Sequence, residues 1–120
     1  MTQNPEKLRI YQDALDLFAK VYQKTKNIEG NFRLREQLHA AASSVANNLA
    51  ESCGCSNLNE VKHKVEISRQ EAYELESLLT QFKAAELISE TDYKELINQL
   101  KPLRMGICNY IKGIQKIQSA

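Results

Sequence analysis

Between Tyr93 and Ile117, eight side chains (Tyr93, Leu96, Leu100, Leu103, Ile107, Tyr110, Ile114 and Ile117) recur in strict alternation of three and four residues. A repeat of about 3.5 matches an α-helix and no strand, and it lays one apolar seam along a rod. The same alternation runs through Val61, Val65, Ser68, Ala72, Leu75, Leu79 and Phe82. Neither rod can bury its seam alone, so the chain must pack helix on helix. Only 4 Gly and 2 Pro among 120 residues leave too few turn positions for a sandwich or barrel of short strands.

The first half of the chain supplies the partners. Asn4-Pro5 offers an Asn cap followed by Pro at the first helical position, where a missing N–H costs nothing, so helix one is expected over about 5–26. Its apolar residues form two rows, Leu8, Tyr11, Leu15, Phe18 and Tyr22, and beside them Ile10, Ala14, Leu17 and Val21. The first row is expected to face the bundle. The segment from Asn27 to Asn31 contains Gly30 and marks a turn. Helix two follows over about 32–53 with Leu34, Leu38, Ala41, Val45 and Leu49 on its seam. Gly54 suits a left-handed cap at its end. Asn57 with Glu60, and Ser89 with Asp92, have the spacing of capping boxes and open helices over about 57–87 and 90–118. Pro102 lies inside the last of these and predicts a kink or break. Four helices with short connections run antiparallel to their neighbours, which makes residues 1–120 a single all-α domain, an up-down-up-down four-helix bundle.

Composition narrows the class of function. The 16 Lys plus Arg nearly cancel the 15 Asp plus Glu. Three Cys and a leader-free start imply reduced thiols and a cytoplasmic address, and no run is apolar enough to span a membrane. Two Glu-x-x-His units, Glu36/His39 and Glu60/His63, have the spacing of di-iron ligands. Each residue lies about 100–160° from its helix's seam, so both units face outward and no metal is expected. Cys53-Gly54-Cys55 reads as a turn with small, semi-buried thiols, or as a strained redox loop. No phosphate loop, nucleophile elbow or carboxylate pair appears, so neither an enzyme nor a cofactor or small-molecule substrate is expected.

Two surface features remain. Helix one is apolar over half its circumference and helix two has no charged face, more than one bundle can cover. Ile10, Ala14, Leu17 and Val21, with Asn48 and Glu51 as hydrogen-bonding pins between helices or subunits, are therefore candidates for an interface between copies. On this reading Leu17→Glu should dissociate copies with less damage to the bundle than Leu15→Glu. From residue 101 onward there are four bases, Lys101, Arg104, Lys112 and Lys116, and no acid, whereas residues 57–100 hold five bases and nine acids. The four bases share an arc of about 120° on the last helix. That stripe suits phosphates or an acidic partner, the alternative being ordinary solvation near a helix C-terminus.

The run from Gln37 to Gly54, with Ala40-Ala41-Ala42, Ser44, Asn48 and Ala50-Glu51 at its heart, resembles the helix-two signature of the four-helix-bundle family of 23S ribosomal RNA intervening-sequence proteins. Leu8-Arg9-Ile10-Tyr11-Gln12-Asp13-Ala14, Val21-Tyr22 and Glu74-Leu75-Glu76 resemble further elements of that family. The resemblance implies a cytoplasmic homo-oligomer, typically a pentamer, without catalytic activity. Similar accessory proteins of diversity-generating retroelements engage RNA and a reverse transcriptase through basic surfaces. The family's Arg-Arg pair falls here on His39-Ala40, its loop Arg on Cys55 and its loop Gly on Ser52, which removes three positive charges. The expected function is a homo-oligomeric scaffold that binds RNA or an RNA-handling protein, with a purely protein-binding module as the alternative.

Overall fold

The computed structural model describes residues 3–120 and contains four long helices: α1 (Arg9–Thr25), α2 (Phe32–Ser52), α3 (Leu58–Ala84) and α4 (Glu90–Gln118). Each packs against its neighbours in the order α1–α2–α3–α4 and α4 closes back on α1, with the α2–α3 side the most intimate and the α1–α4 side the loosest. The result is an elongated up-down-up-down bundle of 50 × 21 × 20 Å.

Local chemistry sets the ends. Asn57 Oδ1 accepts from the Glu60 N–H at 3.0 Å, and Glu60 returns the favour to Ser56 N–H at 3.3 Å. Ser89 Oγ accepts from the Asp92 N–H at 3.0 Å. The Asn4-Pro5 start signal is also used, but for a single 3-10 turn over Pro5–Lys7; Leu8 is then extended, and α1 begins only at Arg9. Gly54 does not take the left-handed cap expected of it. α2 ends instead in tight turns, with Cys53 N–H on Ala50 O and Gly54 N–H on Glu51 O, both at 3.1 Å. α4 passes through Pro102 as one continuous helix. Pro102 and Asn98, whose carbonyl loses its helical donor, are both exposed, so water can serve that oxygen and no break is needed.

The core is built from the expected seams of α2, α3 and α4, from Leu38 and Leu49 through Leu75, Leu79 and Phe82 to Leu96, Leu100 and Ile107. Ser68, the polar member of the α3 seam, donates from Oγ to the Val45 carbonyl at 2.8 Å and so ties α3 to α2 inside the core. Among the described residues no buried side-chain nitrogen or oxygen lacks a partner.

Helix α1 is turned relative to expectation. Ala14, Leu17 and Val21, expected at an interface between copies, are at most 1% exposed and belong to the chain's own core. Ile10 is half-buried, with its Cγ2 3.0 Å from where a Cβ on Gly106 of α4 would stand. Leu15 and Tyr22, expected inside, are 41% and 43% exposed. Two features fix this rotation. The small Ala14 and Gly106 let α1 sit close to its neighbours. Further along the same α4 side, Lys20 and Lys24 reach across, where Lys24 Nζ lies 3.0 Å from Asp92 and 2.8 Å from Glu95, and Lys20 lies 3.0 Å from Glu95. The carboxylates hold the Lys24 ammonium above its ordinary pKa, Glu95 first, and the Glu95 carboxyl sits below its own through Lys24 and then Lys20.

Candidate functional site

Two surfaces on opposite sides of the bundle differ sharply in chemistry. The first follows the α3/α4 edge. Lys101, Lys112 and Lys116 are exposed, and none lies within ion-pair distance of a carboxylate among the described residues. Arg104 behaves differently: it is half-buried, its guanidinium bonds the Glu76 carboxylate of α3, and it lies over the Tyr73 ring with 4.5 Å to the centroid. Arg104 is thus a strut between helices, and the stripe's free charge on α4 comes from the three lysines.

The register of the two helices adds residues that the α4 pattern alone did not reveal. Asn59 Oδ1 accepts from Gln118 Nε2 at 2.7 Å, Glu76 meets Arg104, and Thr80 Oγ1 lies 3.2 Å from Tyr93 Oη. At about 100° per residue, Lys62 and Arg69 fall on the same edge of α3 as Glu76, Thr80 and Lys83. Both are half-buried, and among the described residues no carboxylate pairs with either. A cross-helix register was the missing signal; intrahelical spacing could not supply it. The edge therefore carries Lys62, Arg69, Lys101, Lys112 and Lys116 around the neutralised Arg104–Glu76 pair. On α4 itself a shallow groove of about 330 Å³ is lined by Lys101, Arg104, Met105, Cys108, Asn109 and Lys112. Met105 is 66% exposed and Tyr73 54%.

The second surface is the α1/α2 face. Leu15, Tyr22 and Phe32 stand exposed, with Phe18 half-buried among them. The Phe18 and Tyr22 rings stack at 6.2 Å, and Tyr22 lies 5.1 Å from the His39 ring. Ser43, Asn47 and Ala50 continue the surface along α2 without charge. His39, expected on solvated surface, is half-buried here with Nε2 2.7 Å from Thr25 Oγ1. The two expected pins separate. Asn48 turns back into its own helix, donating to Ser44 O at 2.9 Å, whereas Glu51 does join helices, with Oε1 3.0 Å from Lys64 Nζ.

The remaining candidates stay apart. Glu36, Glu60 and His63 are exposed, and no three His, Cys, Asp or Glu side chains come together to hold a metal among the described residues. Cys53 is buried, and burial pushes its thiol pKa up, away from the reactive thiolate. Between α2 and α3, Gln37, Ala40, Ala41 and Ser44 face Glu71 and Glu74 across a groove, and burial, then Glu74, raises the Glu71 carboxyl pKa. Acid thus lies on the α2/α3 side and base on the α3/α4 side. No helix among the described residues is long and apolar enough to cross a membrane.

A family model described as 23S rRNA-intervening sequence protein matches residues 6–108. A solved structure with TM-score 0.81 and 17% identity covers 92% of this chain and 99% of its own. It is a protein of unknown function from the S23 ribosomal protein family of Bacteroides thetaiotaomicron, and at that identity the likeness is one of fold. No curated protein sequence matches the chain.

Proposed function

The chain belongs to the 23S rRNA-intervening sequence protein family, and from that premise we propose that it is a non-catalytic, homo-oligomeric cytoplasmic scaffold that carries RNA on its basic α3/α4 edge. The observation that carries the reading is the opposition of the two faces. The α1/α2 face exposes the aromatic, aliphatic and small side chains of Leu15, Phe18, Tyr22, Ser43 and Asn47, with Glu36 as a charge on the same stripe of α2, which is surface that copies of a chain cover in one another. The α3/α4 edge, on the far side, exposes unpaired cations and would remain open after such assembly. Closing copies into a ring, a pentamer in the resemblance noted above, repeats the basic edge around it and raises avidity for a polyanion. Among the described residues, Asn57 and Ser89 cap helices and Ser68 pins α3 to α2.

Binding of a structured ribosomal RNA fragment across a salt titration tests the reading. Each lysine or arginine that neutralises a phosphate contributes about 0.7–0.9 to the slope of log K against log salt. Replacing Lys101, Lys112 and Lys116 by Ala should weaken binding and lower that slope by about 2–3 per chain. Absence of binding at low salt would remove RNA from the reading. A partner captured equally with and without nuclease would favour the second reading, a protein-binding module; the engagement of Arg104 by Glu76, which lowers the free charge of the stripe, gives that alternative its footing.

A further inference from the structure

Resting on the RNA reading above, we propose that the α3/α4 edge is built for unpaired RNA, with Tyr73 as the platform on which one base stacks. The Tyr73 ring is held on one side by the Arg104 guanidinium, 4.5 Å from its centroid, and Arg104 is itself anchored by Glu76. Tyr73 is nonetheless 54% exposed, and Met105, next to Arg104 in the sequence, is 66% exposed. An exposed aromatic side chain whose ring is oriented by a fixed cation is a stacking surface made in advance, with little ordering left to occur on binding. On α4, Lys101 and Lys112 stand before and after Arg104, about 16 Å apart along the helix at 1.5 Å per residue, a span that the phosphates of a short single strand can bridge.

This arrangement discriminates between ligands. In a duplex the base faces are already stacked on one another, so Tyr73 and Met105 would touch only the backbone. An acidic peptide would satisfy the lysines and leave the Tyr73 ring wet. An unpaired nucleotide satisfies both, presenting its π-face to Tyr73 and its phosphates to the lysines.

The test uses the full chain, a fluorescent short oligoadenylate, and an RNA duplex of the same length. The single strand should bind more tightly than the duplex. Tyr73→Ala should weaken single-strand binding about 5- to 100-fold, with helicity and duplex binding unchanged, and Tyr73→Phe should restore it. The sequence contains no Trp, so Tyr73→Trp provides a lone indole whose emission should be quenched by the oligonucleotide. If Tyr73→Ala binds as the parent does while Lys101→Ala and Lys112→Ala bind less, contact is with phosphate alone; the base platform is refuted and the RNA reading stands. Equal or tighter binding of the duplex also refutes it. If the parent chain binds neither RNA, both readings fail together.

Discussion

Thr25 on α1 and His39 on α2 meet with 2.7 Å between Oγ1 and Nε2, and Thr25 Oγ1 also lies 2.7 Å from the Val21 carbonyl. The carbonyl can only accept, so the hydroxyl hydrogen goes to Val21, and His39 must donate from Nε2. The neutral ring therefore carries its proton on Nε2 and gains its second proton at Nδ1. Burial first, and the nearby Arg35 second, lower the His39 pKa below its ordinary value. The unfolded chain then takes up a proton at this residue before the folded one does. Stability from this pair is complete above the ordinary histidine pKa of about 6.5 and declines as the pH falls through the lowered folded value. Urea midpoints at neutral and mildly acid pH should show a smaller acid loss in His39→Gln, which keeps an N–H donor for Thr25, than in the parent chain. Equal losses in the two proteins would place the acid sensitivity elsewhere.

The rotation of α1 reverses the division of labour that its sequence suggested. Leu17 is 1% exposed and Leu15 41%. Leu17→Ala should cost about 2–5 kcal/mol in unfolding free energy by leaving a core cavity. Leu15→Ala should stay within about 0.5 kcal/mol for the isolated bundle. If the α1/α2 face joins copies, Leu15→Glu should lower the molar mass seen by light scattering while far-UV circular dichroism is retained. Leu17→Glu should lose helicity. An unchanged mass for Leu15→Glu would show that this face is not an interface between copies.

What the sequence revealed and what it concealed follow from the range of the forces involved. The seams of α3 and α4 were legible because 3–4 alternation along a rod is a local signal, and so were the caps at Asn57 and Ser89, where side chain and acceptor are three residues apart. Helix α1 was ambiguous because two apolar rows compete. The choice between them was made by distant residues, by Gly106 admitting Ile10 and by Asp92 and Glu95 receiving Lys20 and Lys24. The stripe on α4 was legible as a charge pattern. That Glu76 engages Arg104, and that Lys62 and Arg69 join the edge from α3, required the register between helices. Asn48 shows the converse: a polar residue flanking a seam was read as a tie between helices, yet its amide finds the Ser44 carbonyl one turn away.

The end of α3 carries a left-handed residue at a position with no glycine or asparagine to mark a stop. Glu86 has φ 59°, and its neighbours form a Schellman pattern, with Leu87 N–H on Phe82 O at 2.8 Å and Glu86 N–H on Lys83 O at 3.0 Å. Glycine is the residue that meets this geometry without a Cβ clash, and its absence made α3 seem to run to about residue 87, three beyond its true end at Ala84. A non-glycine residue in this region costs roughly 1–2 kcal/mol. Glu86→Gly should therefore raise the unfolding free energy by about 1 kcal/mol, read as a higher urea midpoint at constant slope. A lower midpoint would mean that the Glu86 side chain makes a stabilising contact beyond its backbone role.

Two glycines inside α4 should respond oppositely to the same substitution. Both lie in the helix, where Ala is better than Gly by about 1 kcal/mol. A Cβ on Gly113 would meet nothing within 4 Å, so Gly113→Ala should deliver most of that gain. A Cβ on Gly106 would stand 3.0 Å from Ile10 Cγ2, and because Ile is branched at Cβ that methyl has little freedom to retreat. Gly106→Ala should accordingly be neutral or destabilising in the parent chain, the helical gain being offset by α1 moving away from α4 on the side where the bundle is already loosest. With Ile10→Ala in place the methyl is gone, and Gly106→Ala should then stabilise relative to that single variant. The cycle of the two single variants, the double variant and the parent isolates the contact, with an expected coupling of about 1 kcal/mol. Additive effects at the two positions would show that α1 and α4 do not touch through Ile10 and Gly106 in solution.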